Sequence, residues 1–343
     1  MPTARSIIVS SPPRGQIHDF DLVVLDGRLL FVGTHDISRH ACTWDPATDL
    51  WTEYPLDNPW GDEEGDYDYT ELTALGAAVV DGRIVIGGGG DHQGFAMWDL
   101  QSGKVRLTAQ EGGVDSTARA DLGGRSMLVV GGSSFTNVQL WDPSVAEYDG
   151  DEGLDDSGPD RPSPYDFQVE VEELAAGSGA GSAVAAGTLG DRPVVVAGSH
   201  DGGVLVWDID AQCSLAEFDD LDETLTDFAL TSVDGRTRVV AAGGQNLLLG
   251  DPETGEWDEP LALPDGDVSC LDTGSVMGRP VAVTGAKNGT ICVWDLAERR
   301  LLGEPFREYD SKAFGVRLAE LGGGPVVIAA AHVDSVRVWE LPL

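Results

Sequence analysis

The sequence predicts an all-β fold, a seven-bladed β-propeller of four-stranded antiparallel blades whose ring is closed by an N-terminal strand. Three observations point there. A two-residue mark ends a short apolar strand at Trp44-Asp45, Trp98-Asp99, Trp141-Asp142, Trp207-Asp208, Trp294-Asp295 and Trp339-Glu340, and Gly250-Asp251 keeps the frame without the Trp. Successive marks lie 54, 43, 66, 43, 44 and 45 residues apart, and a period in the low forties ending on such a pair is the signature of a propeller blade. Seven apolar runs, at 29–33, 84–88, 127–132, 193–198, 238–244, 280–285 and 325–330, precede the seven marks one for one.

Each repeat reads as four strands, a to d. The apolar runs are the b strands, expected to be buried on both faces between neighbouring blades. The marks end the c strands, in which apolar and polar or small residues are expected to alternate, as at Ile291 and Val293 ahead of Trp294. Asp26-Gly27, Asp81-Gly82 and Asp234-Gly235 suit two-residue a–b turns, and Asn288-Gly289 and Asp201-Gly202 suit two-residue b–c turns, because these residues tolerate positive φ. The last repeat stops after its strand c, whereas SIIVS (Ser6–Ser10) has no repeat of its own. That strand is expected to serve as strand d of the last blade, removing two open sheet edges. The whole chain, 1–343, then forms one propeller with acidic loop inserts at about 57–69 and 149–166.

Composition narrows the function. The net charge of −38 and the scarcity of lysine (Lys104, Lys287, Lys312) repel nucleic-acid phosphates and anionic membranes, so neither is expected as a partner. A basic protein is. The four cysteines lack metal or redox spacing. Cys42 and Cys292 stand two residues before a mark and are expected to point into a blade interface as reduced thiols of a cytoplasmic protein. The N-terminus has no apolar core of a signal peptide, and no run approaches a membrane span.

The repeats RPVVVAGSHDGGVLVWDI and RPVAVTGAKNGTICVWDLAERRLLGEP resemble those of the WD-repeat family, in the style common in filamentous soil actinobacteria. The first and fifth repeats are similar instead to the kelch family, with Asp-Pro-x-Thr at the c–d turn and a second Trp (Trp51, Trp257) starting strand d. Both resemblances imply a propeller. The WD resemblance further implies a bacterial regulatory or scaffold role, since such repeats often accompany kinase or ATPase modules. No Gly-His pair precedes a blade here, with His18 a partial match, so blade rigidity is expected to rest on packing.

The two long gaps locate the inserts. The first, 57–69, carries Asp57, Asp62, Glu63, Glu64, Asp66 and Asp68 among Trp60, Tyr67 and Tyr69. The second is low-complexity and includes Asp151, Glu152, Asp155 and Asp156, followed by Phe167, Val169 and Val171 alternating as in a strand. Both inserts are expected in d–a connections, hence on one face, where Asp115, Asp227 and Asp267 stand near the start of strand a. This acidic, aromatic-bearing face is expected to dock a protein partner with a basic surface, with Trp60, Tyr67 and Tyr69 as anchors.

Asp149 and Asp151 begin like a calcium loop, but Gly153 and Leu154 break the pattern. His35, Asp36, Asp91, His92, His332 and Asp334 on the b–c turns of blades 1, 2 and 7 could converge on a transition metal, although such turn residues more often bond their own backbone. There is no GxSxG motif and no P-loop, and the glycine clusters at 87–90, 131–132 and 243–244 have no helix after them. The expected function is a non-enzymatic interaction scaffold with no cofactor. The alternative is an enzyme or a small-molecule or metal binder using the mouth of the central channel. Truncating a mark residue, Trp294→Ala, should cost about 3–5 kcal/mol in urea unfolding.

Overall fold

A computed structural model describes residues 4–35, 40–57, 72–90, 93–107, 113–122, 124–132, 137–144, 168–170, 180–199, 203–218, 221, 225–307, 311–331 and 335–341. Seven small antiparallel sheets form a ring, a seven-bladed β-propeller. Blade 1 runs Ile17–Leu25, Arg28–His35, His40–Asp45 and Leu50–Pro55. Blade 2 follows with Ala74–Val80, Arg83–Gly90, Gln93–Asp99 and Val105–Leu107. Blade 3 is Ser116–Leu122, Arg125–Gly131, Asn137–Trp141 and Gln168–Glu170. Blade 4 is Ala180–Leu189, Arg192–Ser199, Val204–Asp208 and Cys213–Phe218. Blades 5 and 6 begin with Leu225–Val233, Arg236–Gly243 and Asn246–Asp251, and with Val268–Val276, Arg279–Ala286 and Thr290–Asp295. Their outer strands are each broken in two, at Glu256–Trp257 and Leu261–Ala262 and at Arg300–Leu301 and Phe306–Arg307.

Blade 7 comprises Ala313–Leu321, Gly324–Ala331 and Val336–Glu340, and its fourth strand is Arg5–Ser10. The expected closure is therefore observed, with Ser10 opposite Val336 and Arg5 opposite Glu340. A latch reinforces it across the last junction. Trp51 Nε1 donates to Ser10 Oγ at 2.8 Å, Ser10 Oγ donates to Asp49 Oδ1 at 2.5 Å, and Trp44 Nε1 donates to the same oxygen at 2.9 Å.

Packing follows from the apolar b strands. Strand a of each blade touches strand a of the next all the way round, so the a strands line the centre. Among the described residues a buried apolar cluster fills each of the seven junctions between blades. Cys42 lies in the cluster joining blades 7 and 1, and Cys292 in the one joining blades 5 and 6, as their spacing from the marks foretold. Both thiols are raised well above the ordinary range by burial. Cys213 is exposed.

The marks have a double role. The Trp rings at 44, 98, 141, 294 and 339 are buried. Four of these N–H groups have acceptors other than a His network: Trp44 donates to Asp49, Trp98 to the Asp57 carbonyl, Trp141 to Gln139 and Trp294 to Thr284. The following Asp folds the c–d turn by accepting a backbone N–H two or three residues on, as at Asp45, Asp99, Asp142, Asp208, Asp251 and Asp295. Its other oxygen faces an Arg at the start of strand b in the pairs Asp99–Arg83 (2.5 Å) and Asp142–Arg125 (2.8 Å). At Gly250 the missing Trp is replaced from the side. Phe218 and Trp257 meet there with ring centroids 4.2 Å apart, and a Cβ at 250 would collide with both.

Two local expectations need correction. Asp26-Gly27, Asp81-Gly82 and Asp234-Gly235 do adopt positive φ at both residues. At Asn288-Gly289 only Gly289 does. Gly289 N–H bonds the Ala286 carbonyl at 2.9 Å, and the Asn288 side chain accepts from Thr290 N–H. The loop is therefore three residues long, a β-turn followed by one left-handed glycine.

The second correction concerns the inserts. Gln168–Glu170 pairs with strand c of blade 3, Val169 opposite Val138, so it is that blade's strand d. From the sequence the second insert is expected after an outer strand, whereas Gln168–Glu170 is itself the outer strand. The chain from 145 to 167 therefore joins c to d, at the end of the blade where the a–b turns lie. The 57–69 insert follows strand d of blade 1 and precedes strand a of blade 2, at the b–c end. In an antiparallel meander these ends are opposite, so the connections that contain the two inserts leave and rejoin the ring at opposite ends.

Removing residues 1–11 deletes both the outer strand of blade 7 and the Ser10 latch. The melting temperature should drop by many degrees or the protein should aggregate. An unchanged melting curve would show that the ring does not depend on this strand.

Candidate functional site

The innermost strands carry a set of carboxylates that act as clamps between blades. Asp19 accepts from its neighbour Phe20 N–H at 2.8 Å and from Leu75 N–H of blade 2 at 2.7 Å. Asp21 repeats this one step along, on Leu22 and on Ala77 of blade 2. Asp227 holds Phe228 and, in blade 6, Leu271 at 2.8 Å. Asp272 holds Thr273 and, in blade 7, Leu318 at 2.6 Å. Ser116 is the neutral counterpart, accepting Val184 N–H across the junction of blades 3 and 4. Each clamp satisfies a strand-a amide that has no partner strand on its inner side.

Two arginines balance this ring. Arg317 on blade 7 lies 3.8 Å from Asp21 and 5.4 Å from the centre of the Phe20 ring. Arg119 donates to the Leu22 carbonyl at 2.7 Å and stands 3.9 Å from Asp21, tying blade 3 to blade 1. Burial works against the charge of Arg317, but Asp21, Asp272, Asp19 and Asp227 together raise its pKa further. Burial raises Asp19 and Asp272 above the usual carboxylate range despite Arg317 and the amide donors. The same burial pushes Asp227 up to about 7. These groups hold the ring together, and their chemistry is positional.

The b–c end presents a different set. Asp115 and Asp267 are half-buried just ahead of strand a in blades 3 and 6. Between blades 5 and 6 a groove of about 730 Å³ opens at this end, with Thr226, Gln245, Asn246, Asp267 and Lys287 on its walls. Backbone bonds fix those walls: Val268 N–H to the Gly244 carbonyl at 2.7 Å and Lys287 N–H to the Asp267 carbonyl at 2.8 Å. The Asp267 carboxylate meets Gln245 Nε2 at 3.4 Å and Lys287 Nζ at 3.5 Å.

Of the expected docking residues, the structure brings Asp115, Asp227 and Asp267 to the b–c end of the ring. Asp227 differs from the other two, because both its oxygens are bonded to backbone amides. Trp60, Asp62, Glu63, Glu64, Asp66, Tyr67, Asp68 and Tyr69 lie outside the described residues, in the connection that leaves blade 1 at this same end. Asp151, Glu152, Asp155 and Asp156 are likewise outside them, in the connection at the opposite end. Of the six possible metal ligands on the b–c turns, only His35 is among the described residues. It is buried, and burial lowers its pKa. Among the described residues no three His, Cys, Asp or Glu side chains converge as a cation site.

Asp19, Asp21, Asp272, Arg317 and Arg119 are not singled out by the sequence reading. The signal available was a charged residue inside an innermost strand, as in FDLVV, CLDTG and GVRLAE. No protein-family model matches the chain, and no curated protein matches it.

The clamp at Asp227 has a pH consequence. Its pKa is about 7 in the folded ring against 3.8 for an ordinary Asp, so the native state keeps a proton that the unfolded chain releases between those values. The stability this contributes is complete below about pH 4 and lost as pH rises through 7. In high salt, which screens the surface charge, the melting temperature should still fall between pH 5 and 8, and Asp227→Asn should flatten that slope. An identical slope in the variant would show that Asp227 titrates elsewhere.

Proposed function

We propose that the protein is a non-enzymatic scaffold of the WD-repeat type that binds a basic protein through the b–c face of its propeller. The observation that carries this reading is the asymmetry of that face. The aromatic, acidic 57–69 insert leaves the ring there, Asp115 and Asp267 stand at the same end, and a groove opens between blades 5 and 6 beside Asp267. Large aromatics set among carboxylates supply anchors and long-range steering together. The clamp carboxylates support the reading from the other side, because a rigid ring presents loops at fixed separations. No helix among the described residues is long and apolar enough to cross a membrane, and with the charge of −38 this favours a cytoplasmic protein-binding role over a membrane one.

The test starts with low-salt capture of a stoichiometric basic partner. Its association rate should then fall at least about tenfold as salt is raised, as steered encounters do. Neutralising the insert (Asp62→Asn, Glu63→Gln, Glu64→Gln, Asp66→Asn, Asp68→Asn) should slow association, and Trp60→Ala should speed dissociation. A rate indifferent to both salt and these changes would overturn the proposal.

A further inference from the structure

The groove between blades 5 and 6 has properties that suit one kind of occupant. We infer that it receives an arginine or lysine side chain of the basic partner, with the Asp267 carboxylate as counter-ion and the Gln245 and Asn246 side chains beside it. This rests on the docking role proposed above and places the partner's cation on that face.

Asp267 is under-satisfied. Its contacts at 3.4 and 3.5 Å lie at the outer limit of hydrogen bonding, whereas formed ion pairs in this protein close to 2.8 Å at Arg125–Asp142 and 2.6 Å at Arg238–Asp258. Lys287 is more than half exposed at 57 %, on a flexible stem that can swing into solvent. Its withdrawal leaves a carboxylate on a rigid wall facing a cavity.

The cavity is within the size range of ligand sites and holds a guanidinium or ammonium with its stem. A guanidinium can bond Asp267 through two N–H groups at once, while the side-chain amide of Gln245 can turn an oxygen to a remaining donor. Charge selects the cation. The chain carries −38 overall, and Asp267 is the carboxylate on the groove wall. An anion would meet this field with Lys287 as the lysine on its side.

The probe is N-acetyl-arginine amide, titrated into the full chain and followed by backbone amide NMR shifts, with N-acetyl-citrulline amide as the uncharged control. Saturable millimolar shifts are expected at Gln245, Asn246, Asp267 and Val268, and none with citrulline. Asp267→Asn should weaken binding at least about tenfold, the loss of one charge-assisted contact, with its melting temperature unchanged because the side chain is half-exposed. Lys287→Ala should tighten binding. Shifts that are absent, spread over the acidic surface, or unaltered in Asp267→Asn would overturn the inference. If the probe fails here while the neutralised 57–69 insert still slows association of the captured partner, the groove is wrong and the docking face stands. If both fail, the face falls with it.

Discussion

A strand that is apolar on both sides must be covered on both sides, and in this protein every b strand is of that kind. No blade can meet this requirement alone. The ring therefore has to close, and it closes through the antiparallel pairing of Arg5–Ser10 with Val336–Glu340. Everything else is arranged around that constraint. The junction clusters bury the b strands, the Trp-Asp marks fold the outer turns, and the clamps of Asp19, Asp21, Asp227 and Asp272 hold adjacent inner strands in register. The latch, in which Trp51 donates to Ser10 and both Trp44 and Ser10 donate to Asp49, reinforces the junction of blades 7 and 1.

The inner clamps carry a cost that explains the arginines. A carboxylate withdrawn from water loses hydration, and backbone N–H bonds restore only part of it. Arg317 faces four of these carboxylates and Arg119 a fifth contact at Asp21. Small residues occupy the matching positions elsewhere, such as Ala183, Ala185 and Ala229, so the charged network is confined mainly to blades 5, 6, 7 and 1. The surface charge is a separate matter. Exposed pairs such as Arg192–Glu253 at 3.8 Å contribute little each, and the net −38 is what the basic residues leave unbalanced, a charge that favours solubility.

Much of the fold was legible because its signals are local. The marks, the b-strand runs and the Asp-Gly turns are each set by a few neighbouring residues, and the Ser6–Ser10 closure followed from counting strands. What was not legible depended on pairing at a distance. Gln168–Glu170 alternates like any strand, and nothing within it says that it joins Asn137–Trp141 rather than stands apart. That one pairing makes the connection that contains Asp151, Glu152, Asp155 and Asp156 a c–d connection and not a d–a one. Asp227 was legible as acidic and near the mouth, but not as a clamp, since its partner amide is Leu271, 44 residues away. Arg317 was hidden for the same reason.

Zero-length carbodiimide cross-linking of the low-salt complex, read by mass spectrometry, tests the docking claim most directly. It joins carboxylates to lysines in contact and so reports the face in use. Cross-links from the partner should fall on Asp115, Asp267 and the carboxylates between Asp62 and Asp68. Cross-links confined to Asp151, Glu152, Asp155 and Asp156, in the c–d connection of blade 3, would contradict it.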